Sequence, residues 1–378
     1  MKILALTVSA GNGHNKAAES IKDYLTTHYD NVEVEIFDTL KYINPVLNKV
    51  VVGGYLTSVK NTPALYGKLY EYAETEDAVS NFSGFVNDIL SIKLKKLIAR
   101  KKPDLVYCTH PFPVEMVSIL KKKHKVDIPA IAILTDYAPH SIWFHNHIDG
   151  YVIPHDDFIP EVREKGVPKG SIYPLGIPIQ NSFLEPINRE EVLRELNLDI
   201  DKPTLLLMGG GLGIGNIPDI YKELCFSNLD IQFIICAGNN NKLREQLEQL
   251  KSRTLKNTVI LGFTSEIHRY MSASDILVSK PGGLTIAELL VKGLPLIITS
   301  TIPGQEEKNA DYLVNNGIAA RVKDHSELIH LIHQLYGSKL RLNHMREMAL
   351  EKSKSNSTRD IATLIVETAN NYKQSNKV

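Results

Sequence analysis

Ile3-Leu4-Ala5-Leu6-Thr7-Val8 is an apolar run that empties into Ser9-Ala10-Gly11-Asn12-Gly13-His14, and from Asn15 to Thr27 the apolar residues return at helical spacing. A run without polar alternation suits a strand buried on both faces of a parallel sheet, so the chain opens β-loop-α. Outward from this unit the alternation recurs. Val32 to Phe37, Leu105 to Cys108 and Ile128 to Leu134 read as further strands, each followed by loop or helix signals. Pro174, Gly176, Pro178 and Pro186 interrupt both periodicities between Tyr173 and Asn188. Beyond them strands restart at Thr204 to Met208, Gln232 to Cys236, Thr258 to Leu261, Ile276 to Val278 and Leu296 to Thr299. Between Leu40 and Arg100 the pattern is long, mostly helical and aromatic, with Tyr42, Tyr55, Tyr66, Tyr70, Tyr72, Phe82 and Phe85, which exceeds an ordinary crossover.

The expected fold is α/β, with two Rossmann-like domains facing across a cleft and C-terminal helices packing back on the N-terminal domain. The boundaries are 1–175, with a helical insert at about 40–100, then 176–355, then 356–378 as a returning helix. The 378 residues exceed one ordinary domain, and a hydrophobic share of 43% supplies two cores. Lys plus Arg equals Asp plus Glu at 43 each, so no bulk field draws the molecule to nucleic acid. Cys108, Cys225 and Cys236 lie far apart without metal-ligand spacing, and their odd number argues against a disulfide framework, which fits a reducing cytoplasm. Met1 to Ala10 is too brief for a signal segment, and no stretch approaches the roughly 18 apolar residues of a membrane span. Contact with a bilayer is therefore expected from the surface.

Four segments carry the chemistry. In the first turn, Gly11, Asn12 and Gly13 let backbone approach a ligand at a helix N-terminus, and His14 is placed to take a proton near neutral pH; the alternative is a capping residue. Lys16 stands where a dinucleotide fingerprint needs its third glycine, and no Walker A sequence occurs. Gly209, Gly210, Gly211 and Gly213 follow a strand and suit close ligand approach, or a tight turn. Lys280-Pro281-Gly282-Gly283-Leu284-Thr285 ends a strand and opens a helix, so its amides and the helix dipole suit a diphosphate, while Glu288 suits ribose hydroxyls or complements the dipole. Pro303-Gly304-Gln305-Glu306 offers amide and carboxylate contacts to sugar hydroxyls, or caps the next helix. His140, His145, His147 and the His155-Asp156-Asp157 run lack metal spacing; the latter reads as a helix start, and no metal is expected. Lys93, Lys95, Lys96, Arg100, Lys101 and Lys102 surround Ile89, Leu90, Leu94, Leu97 and Ile98 as a basic amphipathic helix, suited either to an anionic membrane or to solvent. Lys121, Lys122, Lys123 and Lys125 add a second basic cluster.

These residues, together with Thr109-His110-Pro111-Phe112-Pro113 and Thr135-Asp136 followed by His140 and Trp143, resemble the monogalactosyldiacylglycerol synthase and processive diacylglycerol glucosyltransferase group of family 28 glycosyltransferases. The resemblance covers most of the chain and implies the GT-B fold. It implies an inverting transfer of glucose or galactose from a UDP-sugar to diacylglycerol, giving a β-linked glycolipid, with no cofactor beyond the donor. His14 would be the base, with Asp136 orienting it or stabilising its charge. Gly283, Leu284 and Thr285 would meet the diphosphate, Glu288 the ribose, Gln305 and Glu306 the hexose, and the backbone at Phe263 and Thr264 the uracil. Gly209, Gly210, Gly211, Gly213, Lys280 and Gly282 complete the donor side, and Gly11, Asn12, Gly13, His110, His140 and Trp143 line the acceptor side or cleft. Leu212 and Lys308 depart from the group's usual residues and bear on donor sugar choice. The implied partners are UDP-hexose, the lipid acceptor and an anionic membrane surface, with a cytoplasmic, peripherally bound location. The rival readings are transfer to a polyprenyl-diphosphate wall precursor, a sugar-nucleotide epimerase, and a non-catalytic nucleotide-sugar binder.

Overall fold

A computed structural model of the chain describes residues 1–9, 11–44, 88–209 and 216–375. Residues 45–87 of the aromatic insert, together with Gly210, Gly211 and Gly213, lie outside the described residues. Two compact units result. The first holds Met1–Asn181, Ile302–Gln305 and Lys354–Val378, and the second holds Ser182–Thr301 and Glu306–Ser353.

Six parallel strands build the first unit: β1 (Lys2–Thr7), β2 (Glu33–Asp38), β3 (Leu105–Cys108), β4 (Ala130–Ile133), β5 (Gly150–Val152) and β6 (Ile172–Tyr173). Their spatial order is β2-β1-β3-β4-β5-β6. Leu6 pairs with Phe37 on one side and Cys108 on the other, so β1 is central and buried apart from Lys2. The chain therefore leaves β1 toward β2, then returns to β1's other side as β3. Helices that follow strands on opposite sides of such a reversal leave a crevice at the carboxyl ends. The Tyr107 side chain of β3 is fully buried, and its hydroxyl donates to the Ala18 carbonyl of the Asn12–His28 helix at 2.9 Å.

The helix Ser357–Ser375 belongs to this unit because its apolar stripe has nowhere else to go. Ile361, Ala362, Ile365 and Ala369 are fully buried in one cluster with Ala18, Ile21 and Leu25. Alanines on both helices allow close approach, and each fully buried Ile or Leu side chain contributes about 1.5–3 kcal/mol. Thr358 Oγ1 donates to the Ile179 carbonyl and accepts from the Ile179 amide at 3.0 Å, and Ser357 Oγ donates to the Ile177 carbonyl at 3.0 Å.

The second unit repeats the plan with β7 (Thr204–Met208), β8 (Gln232–Cys236), β9 (Thr258–Leu261), β10 (Ile276–Ser279), β11 (Leu296–Ile298) and β12 (Ala319–Arg321), all parallel. The order is β12-β11-β10-β7-β8-β9, so the reversal falls between β7 and β10. Leu205, Leu207, Phe233, Ile235, Ile276 and Val278 lie in one core cluster with helix residues including Tyr221 and Leu247. β5, β6 and β12 run only two or three residues, too short for the apolar period that betrays the longer strands.

Gly176 has φ +94°, and a Cβ there would lie 2.5 Å from Lys354 Cβ, whereas Gly166, at φ +86°, would meet nothing within 4 Å. Both replacements by alanine force a left-handed backbone on an L-residue, but only the first also collides. Gly176→Ala is expected to cost about 2–4 kcal/mol and Gly166→Ala about 1 kcal/mol. Equal unfolding midpoints for the two variants in urea would contradict the packing described at Lys354.

Candidate active site

In the first unit the side chains of interest gather where β1 and β3 end. Gly11 takes φ +138° and ψ 168°, a conformation open to glycine, and caps the Asn12–His28 helix without a side-chain hydrogen bond. No acid occupies that helix's first turn. The preceding loop is tied on both sides. The Ser9 amide donates to Asp38 Oδ2 at 3.1 Å, and Ser9 Oγ accepts from Asn15 Nδ2 at 3.0 Å and Lys41 Nζ at 3.3 Å.

His14, in the first turn of the helix, is held by two threonines that sequence reasoning passed over. Its Nδ1 lies 2.8 Å from the Thr109 carbonyl and 2.9 Å from Thr135 Oγ1. A carbonyl can only accept, so Nδ1 carries the proton and Nε2 presents its lone pair. Thr109 Oγ1 in turn donates to the His14 carbonyl at 2.9 Å, making the bond between strand end and helix start reciprocal. Burial lowers the His14 pKa from 6.5 to about 4, against the smaller opposing effect of the Thr109 carbonyl, so the ring is neutral near pH 7. Asp136 follows Thr135 and is half-buried.

His110 stands beside it, with ring centroids 4.6 Å apart and planes at 71°. Its Nδ1 accepts from the Phe112 amide at 3.1 Å, capping the Pro111–His124 helix, whose first position is a proline that has no amide to satisfy. Burial, and secondarily the neighbouring His14, holds the His110 pKa well below its ordinary value. His140 and Trp143, beyond β4, are 1% and 3% exposed. The former caps the Ser141–Trp143 turn by accepting from the Ile142 amide at 3.1 Å. His155 likewise caps the Asp156–Phe158 turn through the Asp157 amide at 3.2 Å, which makes Asp156 and Asp157 a helix start. Among the described residues no group of three or more His, Cys, Asp or Glu converges as a metal site would.

In the second unit the donor-side residues also sit at the carboxyl edge. Buried Gly209 follows β7, and Ser279 Oγ at the end of β10 donates to the Met208 carbonyl at 2.9 Å, closing the two strand ends together at the reversal. Gly282 caps the ten-residue Gly283–Lys292 helix, again with no side-chain hydrogen bond and no acid in the first turn. Glu288 is the sixth residue of that helix and half-buried, a turn too far in to be the dipole-complementing acid. Gln305, the last residue of the Ile302–Gln305 segment of the first unit, opens the Gln305–Asn315 helix, and Glu306, in the second unit, forms an ion pair with Lys280. Phe263 follows β9 with 63% of its side chain exposed, and Thr264 Oγ1 accepts from the Glu266 amide at 2.9 Å.

Comparison with known proteins places this geometry. Residues 14–179 match the monogalactosyldiacylglycerol (MGDG) synthase family, and residues 204–365 match the glycosyltransferase family 28 C-terminal domain. A processive diacylglycerol beta-glucosyltransferase of Staphylococcus carnosus is 31% identical over 348 residues, which are 92% of this chain and 87% of that protein. Among solved structures, the glycotransferase of kitacinnamycin shares the fold with a TM-score of 0.65 at 14% identity, covering 97% of this chain and 99% of that one. The UDP-GlcNAc 2-epimerase of Neisseria meningitidis does so with a TM-score of 0.57 at 16% identity, covering 97% and 99%. The fold is thus GT-B, shared by transferases and epimerases alike, and the sequence relatives decide between them: the chain is a glycosyltransferase. It belongs to glycosyltransferase family 28, in the group of the monogalactosyldiacylglycerol synthases and processive diacylglycerol glucosyltransferases.

The depressed His14 pKa has a thermodynamic consequence. The folded value, about 4, lies below the ordinary 6.5, so the unfolded chain binds more protons between them. The stabilisation from the neutral ring is complete above pH 6.5 and is lost as pH falls through about 4. Between pH 7 and pH 4.5 the wild type should lose about 2 kcal/mol more than His14→Gln, a value discounted for the ring's partial exposure. Parallel urea-unfolding curves for the two proteins across that range would rule the buried neutral imidazole out.

Proposed function

We propose that this glycosyltransferase moves a hexose, glucose or galactose, from a UDP-sugar to the hydroxyl of diacylglycerol and inverts the anomeric centre to give a β-linked glycolipid. The observation that carries the reading is the fixed tautomer of His14: Nδ1–H held by the Thr109 carbonyl, Nε2 left as a proton acceptor. In a single displacement the lipid oxygen forms its bond to the anomeric carbon as the bond to the diphosphate oxygen breaks. The hydroxyl proton passes to His14 Nε2, and UDP departs onto the amides of Gly283, Leu284 and Thr285. An imidazole of low resting pKa takes the proton late, as the forming bond acidifies the hydroxyl, and Asp136 supplies negative charge that favours the imidazolium.

Glu288 would accept the ribose hydroxyls, Gln305 and Glu306 would bind the hexose, and the backbone at Phe263 and Thr264 the uracil. The uncapped start of the Gly283–Lys292 helix supports the diphosphate assignment, since free amides and the dipole favour an anion there. His110, Gly11, Asn12 and Gly13 border the base and form the acceptor side, with buried His140 and Trp143 supporting the loop behind it. The chemistry needs no metal or further cofactor, because the amides take the charge of the leaving group.

The lipid acceptor calls for a membrane surface, and among the described residues no helix is long and apolar enough to cross one. The Asp88–Lys101 helix turns Leu94, Leu97 and Ile98 into the protein, so these three are not available for insertion. Lys93, Lys95, Lys96 and Arg100 remain outside, and Lys95 reaches the His124 carbonyl at 3.4 Å, beside Lys121, Lys122 and Lys123. We read this joined basic face as a peripheral, electrostatic contact with anionic lipid on the cytoplasmic side, worth about 1 kcal/mol per cation near the surface.

With UDP-glucose and diacylglycerol vesicles, His14→Ala should lose about 10²–10⁴-fold in turnover while UDP affinity is kept. An equal loss of UDP affinity would refute the base assignment, and release of free sugar without glycolipid would restore the epimerase. The triple variant Lys95→Glu, Lys96→Glu, Arg100→Glu should bind vesicles containing anionic lipid at least tenfold more weakly at low salt, by roughly 1 kcal/mol per charge. Unchanged sedimentation with those vesicles would remove the basic face from the account.

A further inference from the structure

Glu115, on the Pro111–His124 helix of the first unit, is only 4% exposed, and among the described residues its Oε1 has no hydrogen-bond partner. The helix start cannot supply one. Of its first three residues two are prolines without an amide hydrogen, and the third, Phe112, spends its amide on His110 Nδ1. Burial pushes the Glu115 carboxyl up to about 7, so the protonated form, a hydrogen-bond donor, is populated at neutral pH. An acid buried in this way costs stability, and packing alone does not offset that.

Its place on the helix points to the acceptor side. Pro111, Glu115 and Ser118 form a stripe at helical spacing, and Ser118 Oγ donates to the Asn146 carbonyl, three residues beyond Trp143. The stripe therefore faces the region of the Ser141–Trp143 turn, against which this helix packs. Helical side chains lean toward the N-terminus, which brings the carboxyl back over Pro111, next to the His110 cap whose ring stands 4.6 Å from that of His14.

We propose that Glu115 is an acceptor-binding residue that donates a hydrogen bond to an ester carbonyl of the lipid. The inference rests on the diacylglycerol reading, which gives the free hydroxyl of the glycerol to His14. The rest of that glycerol presents ester oxygens, which only accept and so call for a donor.

The test compares dioleoylglycerol with its diether analogue, which lacks both carbonyls, as acceptors in vesicles for the wild type, Glu115→Gln and Glu115→Met. The wild type should take the ester with a KM about 5–30-fold below that of the ether, the range of a hydrogen bond whose other partner is left unpaired. Glu115→Met should raise KM for the ester by about that factor and bring the two lipids level, with the Kd for UDP within about threefold of the wild type. Glu115→Gln, whose amide still donates, should keep the ester preference. The methionine variant should also unfold at a higher urea concentration, since it removes an unsatisfied carboxyl from the interior. A lower midpoint or a failure to fold would make the carboxyl a structural group and overturn the inference. Equal KM values for the two lipids in the wild type, or an ester preference that survives Glu115→Met, would overturn it as well. In those cases glycolipid still formed by the wild type keeps the diacylglycerol reading and removes Glu115 alone, whereas no glycolipid from either lipid removes both.

Discussion

A parallel strand buried on both faces must hand its backbone groups to two neighbours along its whole length, and it is released from that demand only at its ends. In each unit one pair of strands, β1 with β3 and β7 with β10, lies where the chain reverses its direction of travel across the sheet. The connections that leave those strands diverge, and the space between them is filled by neither. His14 and Thr109 stand at the first such point, and Gly209, Ser279 and Lys280 at the second. The candidate residues are therefore placed by strand order before any individual side chain is considered. Ser279 Oγ on the Met208 carbonyl and Thr109 Oγ1 on the His14 carbonyl are the local bonds that stop these ends from fraying.

The hydrogen bond from His14 Nδ1 to the Thr109 carbonyl shows how few residues fix the tautomer of an imidazole. Imidazole has two nitrogens of similar basicity, and a site that leaves the choice open wastes half its population in the wrong tautomer. A backbone carbonyl removes the choice at no risk of titration, since it cannot donate and cannot ionise. The threonine hydroxyl at 2.9 Å reinforces the direction. His110 closes the remaining side with a ring whose own nitrogen is committed to a helix cap, so it adds bulk and desolvation without competing for the proton. The cost is a low resting basicity for His14, which a more solvated ring would avoid.

Much of this was legible in the residue order. The strands Leu105–Cys108, Thr204–Met208, Gln232–Cys236 and Thr258–Leu261 have the limits their apolar runs predict, because runs of four or five β-branched and leucine residues carry their own period. His14, Gly282 and Glu306 were also marked, since glycine turns and polar residues after strands advertise a ligand edge. β5, β6 and β12 were not, as the pairing of two or three residues is imposed by neighbours in the sheet, whereas the three-residue β11 falls within the run Leu296 to Thr299. Thr109 and Thr135 were quoted as parts of a motif without a role, because the roles depend on contacts 95 and 121 residues away in the chain. The Lys280–Glu306 pair spans 26 residues and a whole helix, so neither partner's spacing announces the other. Likewise the amphipathic pattern of the Asp88–Lys101 helix could not say whether Leu94 and Leu97 face lipid or core; their burial answers for the core.

Two helices of the described chain, Asn12–His28 and Gly283–Lys292, begin at a glycine cap with no side-chain bond and no first-turn acid. His110, Asn188, Asn240, Asp324 and Ser338 each supply a side-chain acceptor to their helix starts, while Ile159–Glu164, Ile217–Phe226 and Ile267–Ala273 also start without one but at residues other than glycine. Glycine in place of a capping side chain gives up about a few tenths of a kcal/mol at each of these starts. Glycine is the residue that leaves the first amides unobstructed and lets a ligand reach them, and its permissive backbone allows the φ of +138° at Gly11. Local rules broken in the same way at the two points of strand reversal are what a ligand requirement produces and what packing does not. A glycine cap thus stands near His14 on one sheet and near Lys280 on the other, at the two helix starts where the proposed chemistry calls for open backbone amides.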